Sequence, residues 1–271
     1  MQAFLWFRSP LFSESCSLLH MNKAWRAYKA PALVMSTVMS AVMLIGLVSP
    51  VSSQATPALL NEITDSDQVV LVTAKSWRST VGTVQVFEKK KSSWSVIQNS
   101  VKANLGYGGL VPGNKRKQGT GTTPTGTYAF TSAFGIRSDP GTKLSYLKVD
   151  NNDAWTYNPK FPSTYNILQT ANKNWSSYGN YVEILSTYRK QYNYVAVLDF
   201  NLPSGKITKG ANGINRTDQS ANTSRGGGIF LHVSNGTKTA GCIAIPEGSM
   251  KEILQWLEPK KNPVIVIQVK S

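Results

Sequence analysis

Histidine and cysteine are scarce in this chain, with two of each among 271 residues. A zinc-finger type of site needs four such ligands at close spacing, so a His/Cys metal cluster is excluded, and an all-carboxylate site is excluded less firmly. Acidic residues are few as well, 14 against 29 basic ones, and charged residues make up only 16% of the chain. Together with 41% hydrophobic and 10% aromatic residues, this excludes a disordered polymer, because there is enough apolar side chain to build a core. Glycine and proline are what the chain has in quantity, 21 and 13 residues, and they favour a turn-rich, mainly β architecture over a helical bundle.

The formal net charge of +15 raises the question of nucleic acid, but Lys and Arg are spread thinly and no helix carries a basic stripe. No nucleic-acid partner is expected. The runs Lys89-Lys90-Lys91 and Lys115-Arg116-Lys117 sit among Ser, Gly and Asn and read as solvated turns. Near the N-terminus, Lys23, Arg26 and Lys29 precede an uncharged stretch from Ala32 to Val48, and Ser53-Gln54-Ala55 supplies small residues for a signal peptidase. Residues 21–55 are therefore expected to be a secretory signal peptide, with 1–20 upstream of the true start at Met21. An uncleaved anchor is the alternative, and the only membrane contact expected is through this segment. Cleavage would remove four basic residues and one acidic residue, leaving +12, and would also remove Cys16 and His20. One cysteine, Cys242, and one histidine, His232, remain, so no intramolecular disulfide can form in the exported chain.

Residues 56–66 read as a linker, and 67–271 as one domain without repeats or low-complexity tracts. Gln68 to Thr73, Thr80 to Glu88 and Trp94 to Gln98 are predicted as an opening β-meander, and Tyr128 to Ser132, Asn180 to Leu185 and Tyr194 to Phe200 as further strands. The tract from Gly119 to Gly126 is expected to turn. Asn151 to Ser177, rich in Trp, Tyr, Asn and Pro, has no clear period and is expected to be a long loop over a cleft. Met250, Ile253, Leu254 and Leu257 fall at helical spacing, with Ser249 and Glu252 as a capping box and Pro259 as the stop. Pro263 to Val269 reads as a buried closing strand.

Gly228 to Ser234 and Gly241 to Pro246 flank an Asn-Gly turn and are predicted to form a hairpin. Alternation places Ile229, Leu231, Val233, Ile243 and Ile245 on one face, and Phe230, His232, Ser234, Cys242 and Ala244 on the other. The remaining histidine and cysteine thereby come within reach of each other. An imidazole that takes a thiol proton creates a strong nucleophile and can later protonate a leaving amine. Gly241 and the amide of Cys242 are candidates for an oxyanion hole. No acidic residue is close in sequence to orient the imidazole, which leaves a backbone carbonyl for that task.

The stretch Ile229 to Pro246 (IFLHVSNGTKTAGCIAIP), with Thr123-Pro124-Thr125-Gly126-Thr127 and Phe134-Gly135 upstream, resembles the L,D-transpeptidase catalytic domain of the YkuD type over roughly residues 67–269. The resemblance implies a mainly β fold, a β-sandwich of mixed sheets with one helix in the C-terminal region. It also implies a cysteine acyl-transferase that needs no cofactor. Its substrate would be a peptidoglycan stem tetrapeptide, cut after the diamino acid with release of D-Ala. The thioester would then be resolved by the amine of a second stem in a 3→3 cross-link, or by water. Position by position, Cys242 matches the nucleophile, His232 the base, Gly241 and Cys242 the oxyanion amides, Val233 the carbonyl that orients the imidazole, and Thr239 the small hydroxyl residue of the motif. Phe230, Ser234, Thr239 and Ala240 are the expected substrate contacts. The chain departs from the family pattern at Val233 after the histidine, at Ala240 in place of a second histidine, and at Ala244 where a polar residue is usual.

Two other functions compete. A sortase-like enzyme would need its Cys and His far apart, with an Arg soon after the Cys, and this chain has neither. A non-catalytic wall-binding protein would use Trp155, Tyr157, Phe161, Tyr165, Trp175 and Tyr178 to stack on sugars. An extracytoplasmic, wall-associated location would also give the basic chain its counter-ions, the anionic wall polymers.

Overall fold

Val69 to Val72 is a run of four apolar residues because the strand that contains it is covered on both faces. Val70 and Val72 enter the main core, while Val69 and Leu71 pack with Leu60, Phe87, Trp94 and Val266 on the other side. The structure, a computed structural model, describes residues 57–171 and 173–270; the segments 1–20 and 21–55, with Cys16 and His20, lie outside the described residues. Fifteen strands occur among the described residues. In chain order they are β1 (Gln68–Ala74), β2 (Val81–Lys90), β3 (Ser93–Asn104), β4 (Leu110–Pro112), β5 (Thr123–Gly135), β6 (Tyr146–Lys148), β7 (Ala154–Thr156) and β8 (Ile167–Gln169). β9 (Val182–Ile184), β10 (Val195–Leu198), β11 (Thr208–Lys209), β12 (Asn215–Arg216), β13 (Phe230–Val233), β14 (Ile243–Ile245) and β15 (Val264–Val269) follow. One α-helix, α1 (Glu247–Trp256), precedes the last strand.

The main sheet runs β10-β13-β14-β3-β2-β1-β15-β5-β4, and β10 also pairs with β5, so the sheet closes on itself around one core in a mixed, sandwich-like arrangement. α1 packs Met250, Ile253 and Leu254, with Leu257 just beyond, into that core. Each of these side chains contributes roughly 1.5–3 kcal/mol by burial. β8, β7 and β9 form a separate small sheet. The expected class, mainly β with mixed sheets and one helix late in the chain, is what the structure has.

Several local expectations are corrected. The TPTG tract is not a turn but the start of β5, paired in parallel with β4. Asn151 to Ser177 is not an irregular loop, since it carries β7 and β8, whose buried residues alternate between two cores and so hide the period. The expected linker is packed in part: residues 58–62 form a 3₁₀ turn whose Leu60 is buried and whose carbonyl accepts the Trp94 indole N–H. Ser249 and Glu252 do not form a capping box, because the helix already begins at Glu247 behind Pro246 and Glu252 accepts instead from Gln98.

The hairpin is the largest correction: β13 and β14 are parallel, with Leu231 opposite Ile243 and His232 opposite Ala244. Asn235 and Gly236 do turn, but the chain then runs back along residues 105–107. There Thr239 exchanges hydrogen bonds with Leu105 and Tyr107, so β14 starts level with the beginning of β13. The face assignment survives, because alternation does not depend on strand direction.

Candidate active site

In the parallel register Cys242 is level with Phe230, two positions before His232, or about 6.6 Å along the strand. Both side chains point to the same side, away from the main core. The thiol donates to the carbonyl of Gly228 at 3.2 Å, and the Phe230 N–H donates to the sulfur at 3.4 Å. The thiol proton is thus held by a backbone carbonyl and not by the imidazole, contrary to the direct contact expected from a hairpin. Burial pushes the thiol up to about 12; the charge of Glu183 adds to this, while the Phe230 N–H and Arg116 oppose it.

His232 is buried, and its Nδ1 lies 2.9 Å from the carbonyl of Val233. Only a protonated ring nitrogen can face a carbonyl, so Nδ1 carries the proton and Nε2 presents a lone pair. Desolvation brings the imidazole down to about 4, against a smaller raising effect of the Val233 carbonyl. In this closed state both members of the pair are neutral.

The turn before the cysteine is braced from two sides. Thr239 Oγ1 accepts from the Gly241 N–H at 3.1 Å and donates to the Cys242 carbonyl at 2.7 Å. The Gly241 amide is therefore engaged here and is not turned toward an oxyanion. Glycine is required at this position for another reason: φ is +135°, and a Cβ would lie 2.8 Å from the Thr122 carbonyl and 2.9 Å from Arg116. Arg116 is buried, although the charge run around it reads as surface, and its neighbours Lys115 and Lys117 are exposed. Its guanidinium donates to the carbonyls of Thr122 (2.8 Å), Arg225 (2.7 Å) and Ala240 (3.4 Å), joining three loops around the cysteine. A Cβ on Gly226 would lie 2.0 Å from this guanidinium, which accounts for a glycine there too.

An aromatic cover closes the site. Cys242 shares a cluster with Phe134, Trp155, Tyr192 and Phe230, and the Tyr192 ring stands edge-on to His232 with centroids 5.6 Å apart. Asn166 ties the cover down, since its Oδ1 accepts from both the Trp155 indole and the Gly228 N–H at 2.8 Å. Of the other expected substrate contacts, Phe230 is fully buried and its ring belongs to this cluster. Ser234 turns away to Asn104, Thr239 braces the turn, and Ala240 is exposed and gives its carbonyl to Arg116. The proposed sugar-stacking tract is corrected as well: Trp155, Tyr165, Trp175 and Tyr178 are buried in the protein's own cores and offer no platform.

A depression of about 780 Å³ opens beside the cover, with Arg137, Arg189 and Lys190 among its lining residues along with Asp150, Asn193 and Glu247. Among the described residues no three His, Cys, Asp or Glu side chains come together as metal ligands. Sequence reasoning missed Glu183, Tyr192 and Asn166, gave Tyr157 only a sugar-stacking role and Arg116 a place in a surface charge run, all far from the motif in sequence. Arg116 alone had a local signal, a cation flanked by turn residues, and that signal pointed to the surface.

A search of curated proteins finds no match to this chain. Among solved structures it is similar to the helical cell shape determining protein Pgp2 from Campylobacter jejuni, at 16% identity and a TM-score of 0.35. The similarity covers 76% of this chain and 49% of that protein, so the chain spans about half of its length. The profile of the YkuD family, described as the L,D-transpeptidase catalytic domain, matches residues 73–266, well over half of the sequence and inclusive of His232 and Cys242. The chain therefore belongs to the YkuD family of L,D-transpeptidase catalytic domains.

Proposed function

We propose that this chain is an exported acyl-transferase that uses Cys242 as nucleophile and His232 as base on peptidoglycan stem peptides. The observation that carries this reading is the placement of the two side chains on one side of the β13/β14 pair, with the Val233 carbonyl holding the imidazole in the tautomer that exposes Nε2. When a stem enters and the cover moves, the thiol leaves the Gly228 carbonyl and gives its proton to Nε2. The sulfur then attacks the carbonyl carbon between the third and fourth stem residues. Collapse breaks the C–N bond, the imidazolium protonates the leaving amine of D-Ala, and a thioester remains. An acceptor amine or water attacks that thioester, its proton passes to His232, and the C–S bond breaks to return the thiolate.

The Phe230 N–H and the Arg116 guanidinium both favour the anionic sulfur. The Cys242 amide is the proposed oxyanion donor, joined by that of Gly241 once Thr239 lets it go. The cations Arg137, Arg189 and Lys190 suit the carboxylates of stems or anionic wall polymers. An extracytoplasmic site of action follows from this substrate, and no helix among the described residues is long and apolar enough to cross a membrane. Muropeptide analysis by mass spectrometry of cells expressing the wild type or Cys242→Ala tests the reading. 3→3 cross-links or tripeptides that depend on Cys242 are expected, and identical profiles would overturn it.

A further inference from the structure

Glu183 stands opposite Trp155 in the antiparallel pair of β7 and β9. Cross-strand partners share a face, so its side chain lies on the side of the small sheet that covers Cys242. Tyr192 donates to Oε2 at 2.5 Å and Tyr157 to Oε1 at 3.5 Å, and both rings pack in or against the cluster that contains the thiol. No cation is seen to pair with it: the ion pairs among the described residues join Lys90 and Lys261 to Glu88, and Lys143 to Glu258. Arg116, the buried cation of this region, is committed to three carbonyls.

Burial raises the Glu183 carboxyl above the ordinary carboxylate range, against the smaller lowering effect of the Tyr192 and Tyr157 hydroxyls, so without a cation it holds its charge only at a cost. The same charge opposes ionisation of the nucleophile. As a residue Glu183 is half-buried, and a ligand that displaces the cover reaches its carboxyl group. A carboxyl group held by two tyrosines, with no cation partner among the described residues and set against the thiol, is suited to take its charge when a cation arrives with the substrate.

We propose that Glu183, oriented by Tyr157 and Tyr192, is the recognition point for a primary ammonium group on a peptide stem. The proposal rests on the acyl-transfer reading above. Binding satisfies the carboxylate and cancels its contribution, secondary to burial, to keeping Cys242 protonated, so an amine-bearing donor helps to activate its own nucleophile. The amine can belong to the third residue of the donor or to the acceptor. Both present the same chemistry, and the two are separable by the step they affect.

The test uses the purified chain and donor tetrapeptides whose third-residue side-chain amine is either free or acetylated. Formation of the Cys242 thioester and its resolution by an acceptor stem or by water are followed by intact mass. If the donor amine binds Glu183, the wild type acylates from the free-amine peptide about tenfold faster, one pK unit of thiolate, and Glu183→Gln removes the preference. If the acceptor amine binds, acylation is indifferent to acetylation of the donor, while in Glu183→Gln aminolysis of the thioester falls by about tenfold and hydrolysis does not. Glu183→Asp keeps the negative charge and is expected to restore part of the preference that Glu183→Gln abolishes, which separates recognition from a fault in folding. The proposal is overturned if Glu183→Gln keeps wild-type preferences in both steps, or slows all peptides and both steps alike. Thioester formation in either of those cases leaves the acyl-transfer reading standing, whereas no thioester from any peptide overturns both.

Discussion

The thiol of Cys242 donates its proton to the carbonyl of Gly228, 3.2 Å away, on the strand approach that precedes His232. Sulfur and imidazole share a face but not a hydrogen bond, and each is held neutral by burial. The free protein is therefore expected to be a resting form. Alkylation of Cys242 by iodoacetamide should be slow at neutral pH and should rise without a plateau up to about pH 12. A plateau near pH 6–7, roughly where a preformed thiolate–imidazolium pair titrates, would contradict this.

His232 sets an acid limit on stability. Its folded value of about 4 lies below the ordinary 6.5, so the unfolded chain binds a proton first as pH falls. Its contribution is complete above pH 6.5 and is lost as pH falls through about 4. Urea titrations are expected to show the wild type losing up to about 3 kcal/mol more than His232→Gln over that window. Parallel losses in the two proteins would show that the imidazole is not buried neutral.

Arg116 is expected to be structural as well as electrostatic. Arg116→Met orphans three carbonyls, each worth about 1–3 kcal/mol when buried, and should destabilise by at least about 3 kcal/mol in denaturant titrations. Arg116→Lys keeps the charge but not the planar fork, and should recover only part of that. Equal stability of Arg116→Met and the wild type would return this residue to the surface role its charge run suggests.

The aromatic cover governs access. Trp155→Ala removes a ring that packs on Phe134 and Phe230, at a cost of about 3–5 kcal/mol. It should also speed alkylation of Cys242 at pH 8 by roughly tenfold, as the thiol regains solvent. A destabilised variant with an unchanged labelling rate would place the barrier elsewhere.

Much of this fold is legible in the sequence wherever side chains alternate against one core. The strand cores at Gln68 to Thr73, Tyr128 to Ser132 and Pro263 to Val269, and the apolar face of α1, are read correctly because burial alone decides them. The shared face of His232 and Cys242 is legible for the same reason. The direction of β14 is not, since an Asn-Gly turn signals a reversal of the chain. The second reversal, held by Leu105 and Tyr107 on Thr239, depends on residues more than a hundred positions upstream. Glu183 and Asn166 are illegible on the same ground, single polar residues without a motif, and Arg116 sits in a charge run that reads as surface; the small sheet and loop packing bring them to the thiol. The sequence departures at Val233, Ala240 and Ala244 leave the orienting carbonyl in place, because a main-chain group does not depend on the side chain that follows the histidine.

The central claim is that Cys242 becomes acylated by a stem peptide. Incubation of the purified chain with a donor tetrapeptide, followed by intact-mass measurement and peptide mapping, tests it most directly. The account expects a thioester of the tripeptidyl group on Cys242, with D-Ala released in equal amount and no adduct on Cys242→Ala. An unmodified Cys242 under conditions where the peptide is turned over, or an adduct that persists in Cys242→Ala, would contradict it.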